Sequence, residues 1–199
     1  MMARRGVEVT YETIRQWCLK FGQAFANKLR RRRARPGDKW HLDEVVLKIK
    51  GKLCYLWRAV DQTGVILDIL VQSRRNTKAA TRFFKKLLKG LEYVPRVIIT
   101  DKLRSYGAAK KELLPRVEHR QHKRLNNRAE NSHQPTRVWE KVMRRFKSQG
   151  QAQRFLSAQG PIREHFRPKR HKLSASVYRA KMREQFAVWN EVTELSIAA

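Results

Sequence analysis

The sequence predicts an α/β domain, a mixed five-stranded sheet with flanking helices, preceded by part of a helix-turn-helix. Three observations predict it. Residues 44–71 hold three strand-like runs joined by short turns. A wide amphipathic helical run then leads into the apolar run RVIIT, and a strand–helix–strand crossover implies that this strand joins the sheet in parallel. Apolar residues make up 41% of the chain, enough for a core of that size.

The elements follow in order. Thr10 caps a helix that carries Ile14, Trp17, Cys18 and Phe21 on one side. The stretch before it, from Gly6, looks like the turn of a helix-turn-helix. A single helix cannot bury its own stripe, so residues 1–27 read either as the remnant of a DNA-binding unit or as a helix packed on the main domain. Residues 28–39, KLRRRRARPGDK, combine charge with breakers and read as a linker able to touch phosphates.

In Glu44–Lys50, Val45, Leu47 and Ile49 alternate with Val46, Lys48 and Lys50, the signature of a half-buried strand. Gly51-Lys52 permits a tight hairpin into a second strand, Leu53–Val60. Asp61–Gly64 makes another turn, and Val65–Val71 is the third strand of an antiparallel meander. Asn76 or Thr77 caps a helix whose core face is Ala79, Ala80, Phe83, Phe84, Leu87 and Leu88, with Gly90 at its end.

Arg96–Thr100 is the fourth strand, with Asp101 at its carboxyl edge. A short helix near Tyr106–Leu114 and a brief strand near Val117–Arg120 come next. Residues 126–146 read as mostly helical, either kinked at Pro135, the favoured reading, or starting near Pro135 with Glu130 just ahead, and with Val138, Val142 and Phe146 toward the core. Helices over 150–167 and 174–190 complete the chain, the last with a core stripe of Tyr178, Met182, Phe186 and Trp189. The basic patch REHFRPKRHK lies between them. This order is that of a ribonuclease H-like domain over residues 40–172, with a C-terminal helix over 173–199.

The charge balance narrows the function. Lys and Arg number 46 against 17 Asp and Glu, a net charge of +29. Such a field favours polyanions, nucleic acid first among them, although charge alone also fits a ribosomal or architectural protein. Cys18 and Cys54 form no CxxC pair, which argues against a disulfide framework and suits a reducing compartment. The sequence shows neither a membrane-length apolar run nor an apolar signal core, so a cytoplasmic, nucleoid-associated protein is expected.

Against this excess of base, three acids stand out. In the expected fold Asp43 begins the central strand, Asp101 ends the strand beside it, and Glu130 comes in from a helix over the sheet. Three carboxylates so placed repel one another unless a cation lies between them. Oxygen ligands suit Mg2+, with Mn2+ as a substitute, and two such ions can drive phosphoryl transfer. The alternatives are specific. Strand alternation puts Glu44 on the face opposite Asp43. Glu140 competes with Glu130, and spacing favours Glu130 only modestly. Asp61 reads as a turn residue, and Asp68 as the partner of a base. His119, His122 and His133 lack a cysteine partner and regular spacing, so they read as phosphate contacts or proton shuttles rather than a zinc site.

The segments WHLDEVVLKIKGKLCYLWRAVDQTG, SRRNTKAATRFFKKLL, TDKLRSYGAA, VEHRQHKRLNNRAENSHQPTR and RFKSQGQAQRFLS, in this order, resemble DDE-class insertion-sequence transposases. The nearest resemblance is to the cointegrate-forming insertion-sequence-six family, and it runs from about Arg5 to about Trp189. It implies catalytic and metal-holding roles for Asp43, Asp101 and Glu130, and settles Glu130 over Glu140. It implies a basic residue seven positions after the glutamate, where Arg137 stands.

The resemblance also implies Mg2+-dependent cleavage that frees a 3′-hydroxyl, followed by attack of that hydroxyl on target DNA. By the same resemblance VTYETIRQW matches the last helix of a unit that recognises terminal inverted repeats, and the unit's first helices are missing here. Assembly as a homodimer or larger on paired ends is likewise implied. Arg15, Arg30, Arg31, Arg32, Arg33, Lys102, Arg137 and Lys141 are the candidate DNA contacts. The competing functions are a catalytically decayed DNA-binding copy and a ribonuclease H-like nuclease that cuts without joining.

Overall fold

The computed structural model describes residues 8–33, 35–142, 145–168 and 172–194, and only the backbone of Lys123 and Arg124. Lys169, Arg170 and His171, part of the second basic patch, lie outside the described residues. The chain divides into two compact units, Ala34–Leu156 and, together, Met1–Arg33 with Ser157–Ala199.

The first unit is built on five strands: β1 (Lys39–Ile49), β2 (Lys52–Asp61), β3 (Ile66–Gln72), β4 (Val97–Thr100) and β5 (Glu118–Gln121). Their order in the sheet is β3-β2-β1-β4-β5. The pairs β1–β2 and β2–β3 are antiparallel, whereas β1–β4 and β4–β5 are parallel. An antiparallel meander extended by two parallel strands, each reached through a helix, is the ribonuclease H-like arrangement.

Local chemistry explains the meander. Lys50 and Gly51 both have positive φ, 48° and 79°, as a two-residue hairpin on twisted strands requires. At the next turn the Asp61 carboxylate accepts from the amides of Thr63 (2.8 Å) and Val65 (3.0 Å). Asp68 pairs with Lys86.

The crossover helices are α2 (Thr77–Leu91) and α3 (Arg104–Leu113). The Asn76 side chain caps α2 by accepting from the Ala79 amide. Gly90 does not end α2. It lies inside the helix, and Glu92 supplies the left-handed cap, its N–H donating to Leu88 O at 2.9 Å.

Strand alternation sorts β1 between two cores. Trp40 and Leu42 join Trp57, Phe83, Phe84, Leu87 and Tyr106 under α2 and α3. Leu47 and Ile49 join Cys54, Leu56, Ile69, Val71, Phe146, Ala152 and Leu156 on the opposite face.

That second face is covered by α4 (Asn127–Val142) and the start of α5 (Gln149–His165). Pro135 lies within α4. The expected core face of this helix is corrected. Val138 and Val142 are 58% and 64% exposed, and Ala129, His133 and Thr136 are buried instead. The helix phase is set by polar anchors. Arg58 of β2, itself buried, donates to Ser132 O and to Thr136 Oγ1. Phe146 is buried as expected.

The second unit pairs α1 (Tyr11–Arg32) with α6 (Ala175–Thr193). Thr10 caps α1 through the Thr13 amide. The Phe25 and Trp189 rings meet edge to face at 5.7 Å, and Lys28 Nζ donates to Val192 O at 3.1 Å. Two expectations change here. Residues 28–32, read as linker, are the last turns of α1, because Lys, Leu and Arg favour helix, Leu29 is buried and Pro36 is the first breaker. Residues 157–168, placed with the sheet domain, group with α1 and α6. Ile14, Trp17 and Phe21 of α1 and Phe186 of α6 remain exposed among the described residues.

Candidate active site

The site begins where β4 stops. Its pairing with β1 runs from Lys39 opposite Val97 to His41 opposite Ile99, and the strand ends at Thr100. Beyond that point β1 continues alone on this side, carrying Asp43 and Glu44, while Asp101 caps the end of β4. Carboxylate oxygens of Asp43, Glu44 and Asp101 all lie within 4.8 Å of one another.

Glu44 corrects the expectation from strand alternation. Alternation does send the two neighbours to opposite faces: Asp43 reaches α4, and Glu44 reaches α3. With no β4 backbone between them, however, both carboxylates border one opening, and the longer Glu44 side chain returns to it.

Each acid has distinct partners. Asp43 Oδ2 lies 3.1 Å from His133 Nε2 on α4. Burial holds His133 below the usual imidazole range, so the ring is neutral and its Nε2–H donates to the carboxylate. Asp101 Oδ1 accepts from the Leu103 amide at 2.9 Å, which fixes the turn into α3. Glu44 has a side chain only 2% exposed. One of its oxygens accepts from the Tyr106 hydroxyl at 2.8 Å, and the other is bound by Arg75 Nε. Burial pushes the Glu44 carboxyl up to about 7, against the downward pull of Tyr106 and Arg75. Arg75 also reaches toward Asp101 Oδ2, at 3.6 Å.

Glu130 stands outside this group. It is exposed, in the first turn of α4. Residues before and after it in the chain contact β1. Asn126, four residues earlier, donates to Leu42 O at 2.8 Å; His133, three residues later, meets Asp43; Arg137 donates to Val46 O at 2.8 Å. Within α4, Glu130 precedes His133 by three residues and Arg137 by seven.

The basic candidates are distributed. Lys102 is exposed beside Asp101. Lys141 lines an open cavity of about 630 Å³ with Lys48, Glu140 and Arg145. In the helical unit Arg15 pairs with Glu12, Arg30 donates to Ser157 O at 3.0 Å, and Arg32 pairs with Glu191. Arg31 is exposed and Arg33 half-buried.

Sequence reasoning missed Arg75, Tyr106 and Arg58 and gave His133 only a general role. His133 had a readable signal in its spacing from Glu130 and Asn126. The other three had none, since each acts through a long-range contact.

Residues 37–169, more than half of the chain, match the DDE domain family DDE_Tnp_IS240. The chain belongs to this DDE transposase family. Among curated relatives, the transposase for insertion sequence-like element IS431mec of Staphylococcus aureus is 31% identical over 143 residues, covering 69% of this chain and 63% of that protein. The transposase for IS257 in transposon Tn4003, from the same species, is 32% identical, covering 67% and 62%. These relatives place the chain with the insertion-sequence-six type of DDE transposase. The DDE chain spans less than two thirds of the length of either relative. Among solved structures, the HTLV-2 integrase catalytic core domain in complex with magnesium aligns with a TM-score of 0.48 at 13% identity, covering 62% of this chain and 84% of that one.

Proposed function

We propose that this DDE chain carries the catalytic centre of an insertion-sequence transposase, which cuts the element's ends and joins them to target DNA. The observation that carries the reading is the convergence of Asp43 and Asp101 where β4 ends, in a chain of the DDE family. Asp43, Asp101 and Glu130 form the catalytic set, with Glu130 approaching from α4, which touches β1. Their oxygen donors fit divalent cations such as Mg2+ or Mn2+, and the acids repel one another without positive charge between them. A pair of such ions, held by these carboxylates, would activate the attacking oxygen and neutralise charge on the leaving one.

The strand chemistry balances in two steps. Water attacks the phosphorus at the element's end, the bond from phosphorus to the 3′-oxygen breaks, and a 3′-hydroxyl and a 5′-phosphate result. That hydroxyl then attacks a target phosphodiester, forms the new bond and releases a target 3′-hydroxyl; repeated at both ends, this gives a branched product that replication from the target 3′-hydroxyls converts into a cointegrate. The chain's own side chains have defined work in both steps. His133 holds the Asp43 carboxylate in one orientation, and the Leu103 amide does the same for Asp101. Lys102, Arg137 and Lys141, with Arg15 and Arg30–Arg33 in the helical unit, contact DNA phosphates and set its register. Two copies or more act on paired ends, in the cytoplasm at the nucleoid. Among the described residues no helix is long and apolar enough to cross a membrane.

The test is strand transfer from a labelled element end into plasmid DNA with Mg2+. Asp43→Asn, Asp101→Asn and Glu130→Gln each abolish joined product while DNA retention on a gel persists. Full activity in any of the three refutes its assignment. If Glu44→Gln abolishes joining and Glu130→Gln does not, Glu44 is the third catalytic acid.

A further inference from the structure

We infer that Arg75 is a built-in counter-cation of the acid cluster, which Glu44 holds in place and which competes with divalent ions for Asp101. This role rests on the metal-binding reading of the acids. Arg75 comes from the loop between β3 and α2, outside the motifs that carry the acids, and its guanidinium spans Glu44 and Asp101. The two contacts differ in kind. The Glu44 contact is close and its carboxylate buried, with the remaining oxygen already taken by the fully buried Tyr106. The Asp101 contact is looser, at 3.6 Å, to a carboxylate 29% exposed.

A planar fork of donors can keep one carboxylate while releasing another. Glu44 is therefore the anchor that keeps Arg75 at the site, and Asp101 is the oxygen donor that changes hands. Without divalent ions, Arg75 relieves the repulsion among Asp43, Glu44 and Asp101. With them, Asp101 turns to the incoming cation and Arg75 stays on Glu44. Glu44 thus acts by holding Arg75 rather than by holding metal, which accounts for a third carboxylate crowded beside the two that do.

The test is Mn2+ binding to the full chain, read from the spectrum of free Mn2+ by electron paramagnetic resonance, with no DNA and no turnover. Removing a unit positive charge from beside a divalent site strengthens binding, and at this range in a half-solvated cleft the gain is about tenfold. Arg75→Gln should bind Mn2+ about tenfold more tightly than the wild type, and Arg75→Lys, which keeps the charge, within about threefold of it. Thermal melting in EDTA supplies a second measurement: Arg75→Gln melts lower than the wild type, and Mn2+ raises its midpoint by more.

Equal or weaker Mn2+ binding by Arg75→Gln, with Asp101→Asn binding none, overturns the counter-cation role alone. Equal Mn2+ binding by wild type and Asp101→Asn overturns the metal site itself, and this inference with it.

Discussion

His133 shows how a single side chain tunes the centre. It is buried on α4, and the same burial that keeps it neutral leaves its Nε2–H free to donate to Asp43. A hydrogen bond to a charged acceptor contributes about 1.5–3 kcal/mol, so its loss is felt at the carboxylate it orients. His133→Ala should slow strand transfer by about ten- to a hundredfold and leave DNA retention unchanged, measured as the rate of joined product. A full rate in that variant would show that Asp43 needs no such support. The meeting of Asp43 and Asp101 could be expected from the sequence because each lies at the edge of a strand-like run. The place of Glu44 was not. Period-two alternation tells which face a side chain leaves, but not where the neighbouring strand ends, and it is the end of β4 at Thr100 that lets Glu44 share the opening.

At the level of elements, α4 is the part whose position the site depends on, and its sequence hides how it is held. The strands and α2 could be read because their buried residues are apolar and periodic. In α4 the apolar Val138 and Val142 face outward, and the buried face is Ala129, His133 and Thr136, gripped by Arg58 from the strand beneath. A buried arginine inside an otherwise apolar strand gives no hint of its partner. Removing it leaves Ser132 O and the Thr136 hydroxyl without their donor. Arg58→Met should lower the unfolding free energy in urea by about 2 kcal/mol and reduce strand transfer, because α4 also carries His133 and Glu130. Ser174→Ala, which removes the side-chain cap of α6, should cost about 1 kcal/mol and leave joining intact. The pair separates loss of stability from loss of site geometry. If both variants lose activity in proportion to stability, α4 has no special role.

On the scale of the whole molecule the dominant fact is a net charge of +29, carried with only 17 acids. Several of those acids are already engaged: Asp61 in a turn, Asp68 on Lys86, Glu44 on Arg75, Glu12, Glu191 and Glu194 on arginines or lysines of the helical unit. Arg31, Lys102 and Lys141 are exposed, and they are among the proposed phosphate contacts. Binding of this kind draws its free energy from counterion release, so affinity falls linearly on a log–log scale with salt. For about six phosphate contacts, affinity for a duplex of arbitrary sequence should fall on the order of 10³-fold between 50 and 200 mM salt. If the acids at the end of β4 carry chemistry and not grip, as proposed, the slope should be the same for Asp43→Asn. Replacing Lys102 and Lys141 together by Gln should reduce the slope by about 2, one unit for each phosphate that is no longer neutralised. Fluorescence anisotropy across a salt series measures all three. A slope that stays unchanged when both lysines are removed would mean that DNA does not approach the acids from their side, and the path of the duplex would then have to be sought on the helical unit, along Arg31 and its neighbours.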